Sequence, residues 1–228
     1  MVALIPARGG SEGVPRKNLV DVGGMTLMER AIQSANECSY ISSVVVSSDD
    51  QEILDLAQRG GATPLVRPEE LASGTARAEG VVEHFLTTPL GSTLAVSDVI
   101  VYLQPTSPFR SSSHVTASLE AMFKAQADSL VSVKDVTEHP AKIVTVDAEG
   151  MIQSAPYGAD SSANRQQLPS LHYPTGAIYA FTVESFRREQ KIPIFGALPF
   201  LMRGRDSLDI DNPDDLMIAR AVADYAHL

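Results

Sequence analysis

Residues 2–18 read VALIPARGGSEGVPRKN, a short apolar run followed at once by a turn that contains three glycines. The run Val2–Ile5 predicts a buried strand, and the amphipathic stretch Thr26–Cys38 predicts the helix that comes after it. A second β-branched run, Ser43–Ser47, predicts the next strand. Because strands and helices alternate in this way, the sequence predicts an α/β fold with a mostly parallel sheet.

The same alternation continues towards the end of the chain. A length of 228 residues suits one domain, so we expect residues 1–228 to form a single domain. Further helices are predicted at Asp50–Arg59, Ala76–Phe85, Val115–Gln126 and from Pro213 onwards, with Asn212 as the N-cap. Further strands are predicted at Thr63–Val66, Val99–Leu103, Ser129–Val133, Lys142–Val146 and Ala177–Phe181, and over residues 206–211.

Residues 150–174 interrupt the alternation. This segment is rich in Pro, Ser, Gln and Gly and has little periodicity. Structureless loops longer than about 12–15 residues are uncommon in compact domains. Two interpretations therefore stay open, a loop or an arm that packs against a second subunit.

The overall charge excludes several classes of function. Eighteen Lys and Arg against 28 Asp and Glu give a net charge of −10, which argues against general binding to nucleic acid or to anionic membranes. The one cysteine, Cys38, cannot form an intrachain disulfide, and no apolar run approaches the roughly 18 residues of a membrane span. The N-terminus lacks the features of a signal peptide, so we expect a cytoplasmic protein.

The loop of residues 6–18, called the Gly-rich loop below, combines three glycines with the cations Arg8, Arg16 and Lys17. Glycines let backbone N–H groups approach phosphate oxygens, and the cations supply charge that an acidic chain otherwise lacks. The loop matches neither the P-loop nor the dinucleotide fingerprint, which disfavours ATPases and dehydrogenases. It predicts a triphosphate site, with a basic surface loop as the alternative.

Acidic residues recur at 206–211, called the acidic segment below. In an extended strand Asp209 and Asp211 project to the same side, so both carboxylates can meet one cation. Oxygen ligands of this kind suit Mg²⁺, which completes its shell with water and substrate phosphates. The alternative is that both residues are turn and helix-cap acids.

A third polar cluster, QPTSPFR at 104–110, directly follows the apolar run Val99–Leu103. Ligands of open parallel sheets bind beyond the carboxyl ends of the strands, so this turn would present Gln104, Thr106, Ser107 and Arg110 to a substrate. A rigid turn that caps the next helix would explain the same prolines and serines without a ligand.

Three segments, IPARGGSEGVPRKN, LQPTSPFR and SLDIDNPDDL, together resemble the CMP-N-acetylneuraminic acid synthetase family of cytidylyltransferases. Shorter matches include VSSDD at 46–50, RPEELASGTA at 67–76, EHPAK at 138–142, NRQQLP at 164–169 and TGAIYAF at 175–181. The resemblance implies a Rossmann-like, three-layer nucleotidyltransferase domain with a small dimerisation arm at about 138–175. It also implies a homodimer that uses CTP together with Mg²⁺, or alternatively Mn²⁺.

The resemblance also implies roles for individual residues. Arg8, Lys17 and Asp211 would be catalytic. The CTP site would comprise Arg8, Gly9, Gly10, Ser11, Lys17, Asn18, Arg67, Ala76, Thr106 and Ser107. The sugar would contact Gln104, Lys142, Arg165 and Tyr179, and the metal would be bound by Asp209 and Asp211.

The implied reaction is attack of the anomeric hydroxyl of a nine-carbon 2-keto sugar acid on the α-phosphorus of CTP, with Asp211 or a metal-bound hydroxide as the base. Differences from the family pattern at Gly74, Thr175 and Ile192-Pro193 indicate an altered sugar pocket. The expected substrate is therefore N-acetylneuraminic acid or an analogue such as legionaminic acid. A 3-deoxy-manno-octulosonate cytidylyltransferase and a catalytically silent nucleotide-binding protein are the alternatives.

Overall fold

The computed structural model describes residues 1–11, 13–154 and 168–226. The predicted alternation of strands and helices is present in them. The α-helices of the described residues are α1 (Leu27–Asn36), α2 (Gln51–Arg59), α3 (Ala78–Thr87), α4 (Ser112–Lys124), α5 (Val183–Glu189) and α6 (Pro213–Ala226). None of these helices is long and apolar enough to cross a membrane.

The strands form one large sheet and two small ones. They are β1 (Val2–Pro6), β2 (Asp21–Val22), β3 (Met25–Thr26), β4 (Ser43–Ser48), β5 (Thr63–Val66), β6 (Val99–Tyr102), β7 (Ser129–Asp135), β8 (Val144–Val146), β9 (Ile152–Ser154), β10 (His172–Thr182) and β11 (Leu198–Leu201). The large sheet has the order β11-β7-β10-β6-β1-β4-β5. Its neighbours are parallel except that β10 runs antiparallel to both β6 and β7, which confirms a mostly parallel sheet.

Strand β1 shows why helices cover both faces of this sheet. Its alternate residues Ala3 and Ile5 pack in a core shared with α1, α2 and α4, whereas Val2 and Leu4 pack on the opposite face with α3 and α5. Fully burying an aliphatic side chain contributes about 1.5–3 kcal/mol, so neither face is stable without its helices. The result is the predicted three-layer arrangement.

Local signals fix where helices begin. Thr26 and Glu29 form a capping box at the start of α1, and the Asn212 side chain accepts a hydrogen bond from the Asp215 N–H (3.0 Å) before α6. Each satisfies backbone donors that the first helical turn would otherwise leave unpaired. The predicted cap at Asn212 is therefore confirmed.

The strand predicted over the acidic segment is wrong. Residues Gly204–Ser207 form a 3₁₀ turn, and the last strand of the sheet is β11, closer to the N-terminus. The Ile210 N–H donates to the Thr106 carbonyl (2.9 Å) and the Leu208 N–H to the Arg205 carbonyl (3.0 Å). The acidic segment is thus fixed by turn hydrogen bonds and by the loop after β6 rather than by a sheet ladder.

Strands β8 and β9 form an antiparallel hairpin, called the arm hairpin below, within the segment predicted to be a dimerisation arm. Lys142 precedes it in a 3₁₀ turn, so the strand predicted from Lys142 begins two residues later. Val146 is 66 % exposed and Ile152 is 72 % exposed. An apolar hairpin left open in this way is a surface that another chain could cover.

Candidate active site

A cavity of about 400 Å³, called the first cavity below, opens beyond the C-terminal ends of β1 and β6. It lies where open α/β sheets usually bind their ligands. Four stretches of chain supply its walls: the Gly-rich loop, residues 67–81, residues 102–106 and the acidic segment. The sequence-predicted site residues that line it are Arg8, Ser11, Lys17, Asn18, Arg67, Ala76, Gln104, Thr106, Asp209 and Asp211.

The Gly-rich loop is held against the acidic segment. A Cβ atom built on Gly13 would lie 2.0 Å from the Asp211 carbonyl oxygen, so only glycine permits this approach. Asn18, which is buried, donates from Nδ2 to the Arg8 carbonyl (2.9 Å) and thereby fixes the backbone at Arg8. The loop is therefore shaped before any ligand binds.

Two cations of the loop reach the cavity. Lys17 Nζ donates to the Ile210 carbonyl (2.8 Å) and forms an ion pair with Asp211 Oδ1 (3.2 Å). Arg8 Nη1 donates to the Ser73 carbonyl (2.8 Å) on the opposite wall. By contrast, Arg16 pairs with Glu52 (2.6 Å) and does not line the cavity.

Of the three residues predicted to surround the phosphates, Gly9, Gly10 and Ser11, only one lines the cavity. Ser11 lines it, whereas Gly9 and Gly10 do not. The Gly9 N–H donates to Asp49 Oδ1 (2.9 Å), an interaction that sequence reasoning missed although VSSDD had been noted as a motif. Asp49 thus uses a backbone donor that the prediction had assigned to phosphate.

The two acids of the predicted metal site line the same cavity in different environments. Burial raises the pKa of Asp209 to about 6, and the nearby Asp211 charge adds to this, while a hydrogen bond from Thr106 opposes it. Asp209 Oδ1 is buried and has no hydrogen-bond partner among the described residues. Asp211 is exposed and faces Lys17. The pair therefore combines a desolvated, under-coordinated carboxylate with an accessible one.

One wall is formed by a buried arginine and a tyrosine. Arg67 Nη2 donates to the Ser47 carbonyl (2.6 Å) and Nε to the Ser47 hydroxyl (3.1 Å), and burial lowers the pKa of Arg67. Tyr102 also lines the cavity, and burial raises its pKa. Tyr102 was not predicted as a site residue, although it ends the apolar run VIVY, where a strand meets the ligand-binding edge of the sheet.

At the other end of the cavity, Gln104 is closely packed. A Cβ on Gly176, whose φ is +76°, would lie 2.3 Å from Gln104 Oε1, so this glycine makes room for the Gln104 side chain. Ser107 does not line the cavity: it is 2 % exposed and its hydroxyl has no partner among the described residues. Tyr179 is also buried behind the wall, beside Tyr102 with ring centroids 6.3 Å apart.

Of the remaining predicted sugar residues, Lys142 does not line this cavity. Lys142 is exposed in the turn before the arm hairpin, and Arg165 lies outside the described residues. Thr175, where the chain departs from the family pattern, is buried and its hydroxyl lies 2.7 Å from the Ser132 hydroxyl. The difference at Thr175 is therefore a packing feature of β10.

Comparison with known proteins gives a consistent answer. A family model described as cytidylyltransferase matches residues 2–194. An N-acylneuraminate cytidylyltransferase of Streptococcus agalactiae serotype V is 31 % identical over 99 % of this chain, which spans only about half (54 %) of that protein. A CMP-N,N'-diacetyllegionaminic acid synthase of Legionella pneumophila is 30 % identical, with 94 % of this chain and 92 % of that protein covered.

Solved structures show the same fold. One is a CMP:2-keto-3-deoxy-manno-octonic acid synthetase complexed with CTP, with a TM-score of 0.68, 19 % identity and coverage of 99 % of this chain and 98 % of that chain. Another is a 4-diphosphocytidyl-2C-methyl-D-erythritol synthase from Anaerococcus prevotii, with a TM-score of 0.66, 14 % identity and coverage of 98 % and 97 %. Because the family model spans most of the chain and the Legionella relative is matched over nearly its whole length, the chain belongs to the cytidylyltransferase family.

Proposed function

We propose that this chain transfers CMP from CTP to a nine-carbon 2-keto sugar acid, N-acetylneuraminic acid or an analogue such as legionaminic acid, and releases pyrophosphate. The observation that carries the proposal is one cavity that gathers two cations, Arg8 and Lys17, with two carboxylates, Asp209 and Asp211. Nucleotidyl transfer needs both kinds of group, because phosphate charge must be neutralised and a divalent cation held. The named relatives act on sugar acids of this class.

In the proposed reaction the anomeric hydroxyl of the sugar acid attacks the α-phosphorus of CTP. A P–O bond forms there, the bond to the β-phosphate oxygen breaks, and pyrophosphate leaves with the electron pair. Lys17 and Arg8 neutralise the charge that grows on the phosphate oxygens. Both are already held by carbonyl oxygens at 2.8 Å, so little reorganisation is needed when CTP binds.

The carboxylates fit a Mg²⁺ ion, with Mn²⁺ as the alternative. Asp209 presents a buried oxygen that lacks a protein partner, and Asp211 presents an exposed carboxylate in the same cavity. Mg²⁺ usually takes one or two carboxylates from a protein and completes its shell with water and substrate phosphates. When bound, the ion would supply positive charge at the triphosphate.

Asp211 also suits the removal of the hydroxyl proton. Its carboxylate is exposed, lines the cavity and can accept a proton from a hydroxyl group bound beside it. The proton would move from the anomeric hydroxyl to Asp211 as the oxygen attacks. The chain then needs no side-chain nucleophile.

The cytosine would lie against the wall formed by Arg67 and the backbone at Ala76, with Asn18 nearby. Gln104 lines the cavity and would contact the sugar acid. The sugar contacts of Tyr179, which packs behind the wall, and of Lys142 and Arg165 stay predictions. Lys142 is exposed beside the arm hairpin, so we propose that it serves a site in a homodimer whose partner covers the hairpin. We also propose a cytoplasmic setting, where CTP is available.

The test is pyrophosphate release with CTP and Mg²⁺ against N-acetylneuraminic, legionaminic, pseudaminic and 3-deoxy-manno-octulosonic acids. We expect release with at least one nine-carbon acid, and the ranking of the acids identifies the substrate. Release with the octulosonic acid alone would reject the nine-carbon assignment. Retained CTP binding without release from any acid would favour a silent nucleotide-binding protein.

The metal assignment has its own variant. Asp209→Ala should raise the Mg²⁺ concentration needed for half-maximal turnover or abolish turnover, while circular dichroism shows an intact fold. Asp214→Ala is the control, because Asp214 is an acid in the first turn of α6 that does not line the first cavity. Unchanged Mg²⁺ dependence in Asp209→Ala would reject the metal role.

A further inference from the structure

A second cavity of about 460 Å³ lies between α1, the turn after β6 and the start of α4. It shares no lining residue with the first cavity. Three arginines line it, Arg30, Arg110 and Arg205, in a chain whose net charge is −10. A local concentration of guanidinium groups in an acidic protein needs a physical reason.

Arg110 is the most deeply placed of the three, with only 3 % of its surface exposed. Its Nη1 donates to the carbonyls of Gln104 (2.6 Å) and Ala177 (3.0 Å), and its Nε to the Ser34 hydroxyl (3.3 Å). Among the described residues no acceptor contacts Nη2 and no carboxylate forms an ion pair with the guanidinium. A buried charge without a counter-ion is costly, and a bound anion would remove that cost.

Burial lowers the pKa of Arg110 to about 10, and no neighbouring charge opposes the shift. The guanidinium therefore stays protonated at neutral pH, so the cavity wall carries a positive charge under working conditions. The Gln104 side chain lines the first cavity while its carbonyl accepts from Arg110. One guanidinium thus stands between the two cavities.

The acids of the second cavity do not neutralise Arg110. Glu37 accepts hydrogen bonds from the side chains of Gln33 (2.7 Å) and Ser112 (3.1 Å). Asp206 lies 3.5 Å from His114 Nε2 and 3.8 Å from Arg205 Nε. Each carboxylate is engaged by neighbours on the wall, and among the described lining residues three arginines face two carboxylates, an excess of positive charge.

The geometry points to a binding site in the second cavity for a small, multiply charged anion of the phosphate or polycarboxylate type. Arg110 would offer its free Nη2. Arg30, whose Nε and Nη2 donate to the Val22 carbonyl, would offer its remaining Nη1 from α1. Arg205, whose Nε lies 3.8 Å from Asp206, would approach from the 3₁₀ turn Gly204–Ser207. Arginine suits such ligands because its planar group donates two parallel hydrogen bonds to one anionic group. The capping box at the start of α4 already pairs the Ser111 and His114 N–H groups, so the anion would be held by the arginines.

The test is a titration of the full chain labelled with ¹⁵N-arginine, with one equivalent of CTP, no sugar acid and no added divalent cation. Inorganic phosphate and citrate are titrated in separate arms, followed by the arginine Nε–H resonances and by calorimetry. We expect saturable one-to-one binding that shifts the resonances of Arg30, Arg110 and Arg205. The tighter of the two probes identifies the ligand as phosphate-bearing or as a polycarboxylate.

Two variants assign the binding to this cavity. Arg30→Gln and Arg205→Gln should each weaken binding about tenfold or more, as expected for loss of a hydrogen bond to a charged group. Arg187→Gln, which removes an exposed arginine of α5 outside both cavities, should bind as the unmodified chain does. Arg110 is left unchanged because its replacement could disrupt folding.

The outcomes separate this inference from the proposed function. Absence of saturable binding by both probes would overturn it, as would equal affinity in Arg30→Gln, Arg205→Gln and Arg187→Gln. Binding that depends on Arg30 and Arg205 supports it whether or not any sugar acid is turned over. Phosphate bound in the first cavity would survive both substitutions and so would count against the inference.

Discussion

The phosphate end of the first cavity and the arm hairpin differ in how completely one chain builds them. At the phosphate end, formed by Arg8, Lys17, Asp209 and Asp211, every side chain lines the cavity and the cations already contact the opposite walls. At the arm end, formed by the arm hairpin and Lys142, the apolar residues Val146 and Ile152 are exposed and Lys142 does not line the cavity. On the proposed function, we therefore expect one chain to bind the nucleotide by itself, whereas binding of the sugar acid should require the homodimer.

The largest effect is expected from Lys17→Met, which removes a preorganised cation from the phosphate end. Turnover should fall roughly 100-fold to 1,000-fold, the scale seen when one donor to a developing charge is lost. The measurement is steady-state kinetics with CTP varied. Arg16→Met is the matched control, because Arg16 pairs with Glu52 away from the cavity, and its kinetics should be nearly unchanged. Similar kinetics in both variants would show that Lys17 does not take part in the reaction.

The next effect is expected from Gly13→Ala, which places a methyl group against the Asp211 carbonyl. Overpacking of this kind costs about 1–3 kcal/mol, so the free energy of unfolding should fall by that amount and CTP affinity about tenfold. Denaturant unfolding and calorimetry check both. For stability the control is Gly10→Ala, since nothing lies within 4 Å of a Cβ built there. Equal stability of the two variants would contradict the close packing of loop and acidic segment.

A smaller effect is expected from Val146→Asp combined with Ile152→Asp in the arm hairpin. Two charges on this exposed apolar surface should dissociate the proposed dimer, as measured by light scattering. The KM for the sugar acid should then rise about tenfold, for loss of one charged contact, while CTP affinity stays the same. A monomer with unchanged KM would show that the arm end is complete in one chain.

The smallest effect on activity is expected from Thr175→Val. The hydroxyl lies 2.7 Å from that of Ser132 and accepts from the Ala177 N–H (3.3 Å), so its loss should lower the free energy of unfolding by about 1 kcal/mol. Ranking of sugar acids should not change, because Thr175 packs in the core. A double variant with Ser132→Ala should cost less than the sum of the single changes. A changed ranking of the sugar acids would indicate that Thr175 influences the sugar site.

Much of the fold could be predicted from the sequence because periodicity and caps are local signals. The strand Val2–Pro6, the capped helix α1 and the Asn212 cap follow from neighbouring residues alone. The strand prediction over the acidic segment was wrong because Asp209-Ile210-Asp211 alternates polar and apolar residues as a strand does. Its backbone is paired with Thr106, more than a hundred positions away along the chain, and no local pattern carries that information.

The candidate site was predictable where several motifs converge on one edge of the sheet. Arg8 and Lys17 belong to one motif and Asp209 and Asp211 to another, and the structure brings both motifs to one cavity. Their assigned roles stay predictions. Asp49 was missed because its partner, the Gly9 N–H, comes from another strand end. The second cavity was missed for a related reason, since Arg30, Arg110 and Arg205 belong to no common motif.

The antiparallel strand β10 has a consequence for how the molecule reaches its native state. Because β10 pairs with β6, and β6 with β1, the centre of the sheet joins stretches that are far apart in the sequence. Closing long loops is slow, so folding rates fall as contacting residues become more distant in the chain. The close contact between Gly176 and Gln104 depends on the pairing of β10 with β6. Refolding should therefore restore helical circular dichroism well before it restores a pocket able to bind CTP.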